Sequence, residues 1–101
     1  MLEREFFLGF IKIHILYHAA REPIFGVEMI KELAQHGYNV SPGTLYPALH
    51  LLEKENYLKS SSKIVGGRVR KYYQATAKGK RVLRQARQKI RELVTEVIEE
   101  R

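Results

Sequence analysis

Two successive glycines, Gly66-Gly67, interrupt a chain whose apolar residues otherwise recur mostly at helical spacing, and this pair constrains the fold more than any other feature. Such a pair is the usual composition of a tight hairpin turn. Its flanks agree with a hairpin, since residues 57–65 and 68–75 read as strands. In the second strand Val69, Tyr73 and Ala75 alternate with Arg68, Arg70, Tyr72 and Gln74, so one face is largely apolar and the other polar. At 101 residues the chain is one domain with a modest core.

Helical patterns surround the hairpin. Residues 3–20 carry two apolar stripes, Phe6, Phe10, Ile13 and Tyr17 beside Phe7, Ile11 and Ile15. One stripe suffices for a core, so the second predicts a partner surface. Glu22-Pro23 ends this helix. A second helix is expected over about 25–36, with Val27, Ile30, Leu33 and Ala34 inward and Gly37 as a left-handed C-terminal cap. Ser41-Pro42 then starts a third, with Ser41 as N-cap and Pro42 at the first helical position. Leu45, Leu49 and Leu52 carry it to about residue 56. Pro47 conflicts with a regular helix, because it lacks an amide and presses on the Gly43 carbonyl, so a bent first turn is expected. After the hairpin, Thr76 caps a last helix. There Leu83, Ala86, Ile90, Leu93 and Val97 form a short heptad seam, widened by Val94 and Ile98. Helix, helix, helix, hairpin, helix is the order of a winged helix-turn-helix with one added C-terminal helix, a mainly α (α+β) fold.

Charge gives that fold a partner. From Lys59 to Arg91 there are twelve Lys and Arg and no acid, within a chain of net charge +7. A basic, Gly-tipped hairpin can press cations against a phosphate backbone. An incidentally basic protein would intersperse acids among these bases. With no cysteine, disulfides, thiolate catalysis and Cys-based zinc sites are excluded. No stretch reads as a signal peptide or approaches the roughly 18 apolar residues of a membrane span, so a soluble, cytoplasmic protein is expected. No catalytic triad, paired carboxylates or phosphate loop is apparent; no enzyme and no cofactor are expected. His14 and His18 stand four apart on a helix, a spacing that can hold a metal, but no third ligand suggests itself and the expected metal set is none.

The run Ser41-Pro-Gly-Thr-Leu-Tyr-Pro-Ala-Leu-His-Leu-Leu-Glu-Lys-Glu-Asn-Tyr-Leu58 resembles the signature of the PadR family of bacterial and archaeal transcriptional regulators. Gly66-Gly67-Arg68-Val-Arg-Lys-Tyr-Tyr73, with Thr76 and Gly79, resembles that family's wing and wing-to-helix segment; Phe25-Gly26 fits as well. Val69 and Ala77-Lys78 depart from the family pattern at the wing tip and at the start of the last helix. The resemblance implies a homodimer built on the first and last helices, a recognition helix at 41–56 in the major groove, a wing on the backbone or minor groove, and repression relieved by an effector at or near the dimer interface.

The DNA-contact set expected from residues and resemblance together is Ser41, Pro42, Gly43, Thr44, Tyr46, Pro47 and His50 on the helix, with Lys63, Arg68, Arg70 and Lys71 on the wing. Against it stands a plainer reading. Ser41 and Thr44 only cap, Tyr46 packs in the core, and the wing is a solvated basic hairpin. Lys78, Lys80, Arg81 and Arg84 either extend the positive surface or merely coat a helix. The expected dimer interface is Phe6, Phe7, Phe10, Leu83, Ala86, Ile90, Leu93 and Val97. Residues 1–76 form the DNA-binding unit, with the wing at 57–75. Residues 77–101 form a dimerisation helix packed with the helix at 3–20. Double-stranded DNA with a pseudo-palindromic operator, a second copy of the chain and a small-molecule effector are the expected partners, with no membrane. The competing functions are an apolar or aromatic ligand sensor at the dimer interface and a non-specific nucleic-acid binder.

Overall fold

The computed structural model of the chain describes residues 2–101; residue 1, which opens the expected DNA-binding unit, lies outside them. Four α-helices and three strands follow in the order α1 (Leu2–Arg21), β1 (Ile24–Phe25), α2 (Gly26–Gln35), α3 (Pro42–Lys54), β2 (Leu58–Val65), β3 (Arg68–Ala75) and α4 (Ala77–Leu93), continued by a π-helical stretch, Val94–Ile98. The strands form one antiparallel sheet in the order β1-β3-β2. This is the winged helix-turn-helix that the element order predicts, with a long C-terminal helix. No helix among the described residues is long and apolar enough to cross a membrane.

Turn chemistry sets most of the boundaries. Gly66 and Gly67 have φ of 58° and 76°, and Val65 pairs with Arg68, so β2 and β3 close through a two-residue turn with both central residues left-handed. Helix α2 ends as its sequence predicts: Gly37 takes φ 85°, the Tyr38 amide donates to the Leu33 carbonyl, and the Gly37 amide donates to that of Ala34. Helix α3 ends the same way on a non-glycine. Asn56 has φ 66°, and the amides of Tyr57 and Asn56 donate to the carbonyls of Leu52 and Glu53. Asn tolerates this region better than other side chains.

Three expectations change. Strand β1 was not foreseen: Ile24 and Phe25, just after Pro23, pair with Tyr73 and Tyr72 of β3. Two residues are too few to show a period in sequence. That pairing sets where α2 begins, and its inward face becomes Gly26, Met29 and Leu33, with Ile30 half-buried, while Val27 and Ala34 turn outward. Helix α3 is regular from Pro42 and runs through Pro47. The carbonyl that Pro47 leaves without an amide belongs to Gly43, and both residues are exposed, so solvent can satisfy it.

The core lies between α1, α2, α3, the sheet and the first half of α4. Ile11, Ile15, Leu16 and Ala19 of α1 meet Leu45, Leu49 and Leu52 of α3, Met29 and Leu33 of α2, and Tyr73 and Leu83. The two stripes of α1 separate here: Ile11 and Ile15 are buried with Phe7 partly so, while Phe6 and Phe10 remain exposed.

One hydrogen-bonded junction joins α3, the hairpin base and α4. The Thr76 hydroxyl donates to the Asn56 carbonyl at 2.6 Å and accepts from the Gly79 amide at 3.0 Å, while the Thr76 amide donates to the Tyr57 carbonyl. Lys78 Nζ donates to the Glu55 carbonyl and lies over the Tyr57 ring, so it fastens this junction. Gly79 packs so closely that a Cβ there would overlap the Tyr57 carbonyl oxygen. Backbone on one side and Leu16 on the other leave it no room. Gly79→Ala should therefore destabilise the fold by roughly 1–3 kcal/mol despite alanine's better helix propensity; an unchanged or raised melting temperature would contradict this packing.

Candidate nucleic-acid interface

Helix α3 and the wing enclose an open cleft of about 410 Å³, lined by Tyr46 and His50 from the helix, Arg68, Val69, Arg70, Lys71 and Tyr73 from β3, and Phe25, Gly26 and Val27 from the β1–α2 corner. Five expected contact residues, Tyr46, His50, Arg68, Arg70 and Lys71, thus converge on one concave surface. Ser41, Pro42, Gly43 and Thr44 sit apart from it, at the N-terminus of α3. Pro47 is exposed on that helix. Lys63 pairs across the strands with Arg70, and its ammonium lies 5.3 Å from the Tyr72 ring centroid.

The helix start differs from expectation. The Ser41 side chain caps no backbone amide. Its hydroxyl donates weakly to Thr44 Oγ1 at 3.3 Å, while its carbonyl takes the amides of Thr44 and Leu45. Pro42 has no amide to offer, and the Thr44 amide is already satisfied by that carbonyl, so the Ser41 hydroxyl turns to the Thr44 side chain. An exposed hydroxyl pair therefore stands at the positive end of α3, where an anion is favoured.

Tyr46 packs inward and still reaches the cleft. Its ring lies against Gly26, where a Cβ would overlap the ring, and it packs on the core. It is only half-buried and also lines the cleft. Phe25, Gly26 and Val27 are site residues that sequence reasoning missed, because β1 brings them beside the wing. Arg70 is held by that corner, its guanidinium 4.6 Å from the centroid of Phe25, whose ring meets Tyr72 edge-on. A stacked guanidinium is pre-oriented, with its N–H edge left for a phosphate or base.

Lys71 is less free than its neighbours. No acid lies near it in sequence, yet the fold brings Glu53 of α3 within 3.3 Å of its ammonium. The Ser60 hydroxyl donates to the same carboxylate through a short hydrogen bond. That hydrogen bond first, then the contact with Lys71, holds the Glu53 carboxyl below its ordinary value, and Glu53 in turn raises the Lys71 ammonium. The trio ties the wing to α3.

The expected dimer residues divide in the same way. Phe6, Phe10, Ile90, Leu93 and Val97 are 41–64 % exposed, and Ala86 is half-buried. Leu83 is only 4 % exposed and belongs to the core of its own chain, which corrects its place on a partner face. Phe7 is largely engaged by the Tyr38 ring.

A second cleft opens between α1 and α4, floored by Phe10, Ile13, Leu83 and Ile90 and edged by Arg87. His14 and His18 line it, and His36, the C-cap of α2, joins them. Sequence spacing singles out the first two but not the third. Burial, then the neighbouring His36 and His18, hold the His14 imidazole below its ordinary 6.5, with Glu32 opposing the shift.

Residues 15–85 match the model of the transcriptional regulator PadR-like family. The chain is 45 % identical over 95 residues to the transcriptional regulator Rv3488 of Mycobacterium tuberculosis, covering 94 % of this chain and 89 % of that one. A PadR-like transcription factor from Bacteroides fragilis superposes with a TM-score of 0.85 at 27 % identity, covering 99 % of this chain and 98 % of the other. A PadR family transcriptional regulator from Eggerthella lenta does so with 0.83 at 34 %, covering 97 % and 87 %.

The Glu53 cluster makes a pH prediction. Because the folded-state value is lowered, the carboxylate adds stability above the ordinary value of 4.5, and that stability is lost as pH falls through the lower folded value. Replacing Glu53 with Gln should leave a protein whose melting temperature falls less steeply than wild type between about pH 5 and pH 3. Parallel acid profiles of the two proteins would show that the cluster contributes nothing.

Proposed function

Because this chain belongs to the PadR-like family of transcriptional regulators, we propose that it works as a dimeric, sequence-specific DNA-binding repressor. Its family consists of regulators rather than enzymes, and DNA is the partner that membership implies. The observation that carries the finer reading is the cleft in which Tyr46 and His50 of α3 face Arg68 and Arg70 of the wing. Helix α3 lies in the major groove, its N-terminal amides and the Ser41 and Thr44 hydroxyls meet phosphate, and His50 reaches a base edge. The wing follows the backbone with Arg68, Arg70 and Lys63, and Lys71 contributes less because Glu53 offsets its charge.

Dimerisation is supported by the apolar surface that the protomer leaves open. Phe10 and Ile90 line one cleft between the two helices, and Phe6 of α1 and Leu93 and Val97 of the C-terminal helix are exposed as well. An uncovered face of this kind marks an interaction site. Residues 1–76 act as the DNA-binding unit, and residues 77–101 pack with α1 to make the interface. Two-fold symmetry then presents two recognition helices to half-sites about one or two DNA turns apart. Relief of repression fits the cleft between α1 and α4, since a ligand there would alter how the two protomers meet.

Arg70→Glu and Tyr46→Ala should each weaken binding to the chain's own upstream DNA by about tenfold or more, measured by fluorescence anisotropy beside a scrambled duplex, without dissociating the dimer. Arg70→Glu should also flatten the salt dependence. Retained wild-type affinity in both variants would refute the cleft as the contact surface, and equal binding to both duplexes would mean a non-specific binder. Leu93→Glu, which places a charge in the middle of the open face, should convert the dimer to a monomer in sedimentation equilibrium. An undisturbed dimer would exclude that face as the interface.

A further inference from the structure

Four histidines occur in the chain, and three of them meet in space. His14 and His18 lie one turn apart on α1. His36, eighteen residues after His18, ends α2. Each offers a ring nitrogen, and the three nitrogens all lie within 4.8 Å of one another. The His14 and His36 rings stand 5.0 Å apart by their centroids, and His14 rests edge-on against Tyr38. Glu32, one turn before His36, brings a carboxylate oxygen to 3.7 Å from His18 Nε2 and 3.8 Å from His36 Nε2. Neither approach is yet a hydrogen bond. The cluster opens on the cleft between α1 and α4, so an ion can reach it.

We propose that His14, His18 and His36 form a binding site for a divalent first-row transition cation of the zinc class, with Glu32 as its carboxylate partner. Imidazole nitrogens select zinc, cobalt, nickel and copper over magnesium or calcium, which take oxygen ligands. A tetrahedral ion with bonds of about 2.0–2.1 Å needs its nitrogens about 3.4 Å apart, so side-chain rotations closing at most about 1.4 Å complete the site. Three protein ligands leave a fourth position, which Glu32 or water fills; if Glu32 remains outside, it can accept the N–H of a liganded ring and orient it.

The site spans two elements with different tasks. His14 and His18 belong to α1, whose other residues make up half of the open apolar face. His36 closes the first helix of the helix-turn-helix, immediately before the Gly37 turn that leads to α3. A bound cation therefore clamps the end of α2 to α1 and links the dimer face to the placement of the recognition helix. The cation's role as effector rests on the repressor reading above, whereas the site itself does not.

The test uses the full chain without a histidine tag. Titration with Co²⁺ followed by visible absorption, then competition by Zn²⁺, should show one ion per chain in a four-coordinate spectrum. His36→Ala alters an exposed position and so spares the fold; it and His14→Ala should each weaken binding by about 100-fold or more, since even loss of an outer-shell partner costs about 10–100-fold. His50→Gln, which removes the remaining histidine, should bind Co²⁺ as wild type does. No saturable Co²⁺ binding, or binding unchanged in the His14→Ala/His36→Ala double variant with its circular dichroism intact, overturns the site. A second arm measures affinity for the upstream DNA with and without Zn²⁺. A Zn²⁺-dependent shift that His36→Ala abolishes supports the effector role. Tight Co²⁺ binding with no such shift overturns that role and leaves the site standing.

Discussion

The hydroxyl of Thr76 holds together the parts of this molecule that must keep a fixed relation. It donates to the carbonyl that ends the α3 region and accepts the amide that begins α4, while its own backbone closes on Tyr57 at the foot of the hairpin. Lys78 and the bare backbone of Gly79 complete the contact. Helix α3, the wing and the C-terminal helix therefore diverge from one hydrogen-bonded point. Their angles are set by short polar contacts of defined geometry, which tolerate less sliding than apolar packing does.

From that point outward, the wing is held against α3 by two further devices. Glu53 collects Ser60 and Lys71 from the hairpin, and the Phe25–Tyr72 pair supports Arg70 from beneath. Both restrain cations that would otherwise move freely on an exposed strand pair, so less side-chain entropy remains to be lost when a polyanion binds. The cost is the partial neutralisation of Lys71. A wing of unrestrained lysines would carry the same formal charge with less orientation.

The opposite side of the molecule has a different character. There α1 sends one apolar stripe into the core and leaves Phe6 and Phe10 of the other exposed, with Ile13 and Tyr17 half-buried, and the last turns of the helix carry Leu93, Val97 and Ile98 uncovered. Between these open surfaces and the helix-turn-helix lie the three histidines. Their rings bridge α1 and the end of α2.

Much of this was legible in the amino-acid order because it depends on neighbours. The Gly66-Gly67 turn, the Gly37 cap, the Ser41-Pro42 start, the Thr76 cap and the twin stripes of α1 each follow from a few adjacent residues or a helical period, and together they determined the winged helix and its basic hairpin. What the tertiary structure alone decided are the meetings of residues far apart in the chain. Tyr72 and Tyr73 recruit a two-residue strand too short to show a period, Glu53 reaches Lys71 across the wing, Leu83 turns into the core rather than toward a partner, and His36 joins His14 and His18. Local rules constrain which backbone shapes a segment can adopt. Which side chains then touch depends on how those segments pack, and no short window of sequence contains that information.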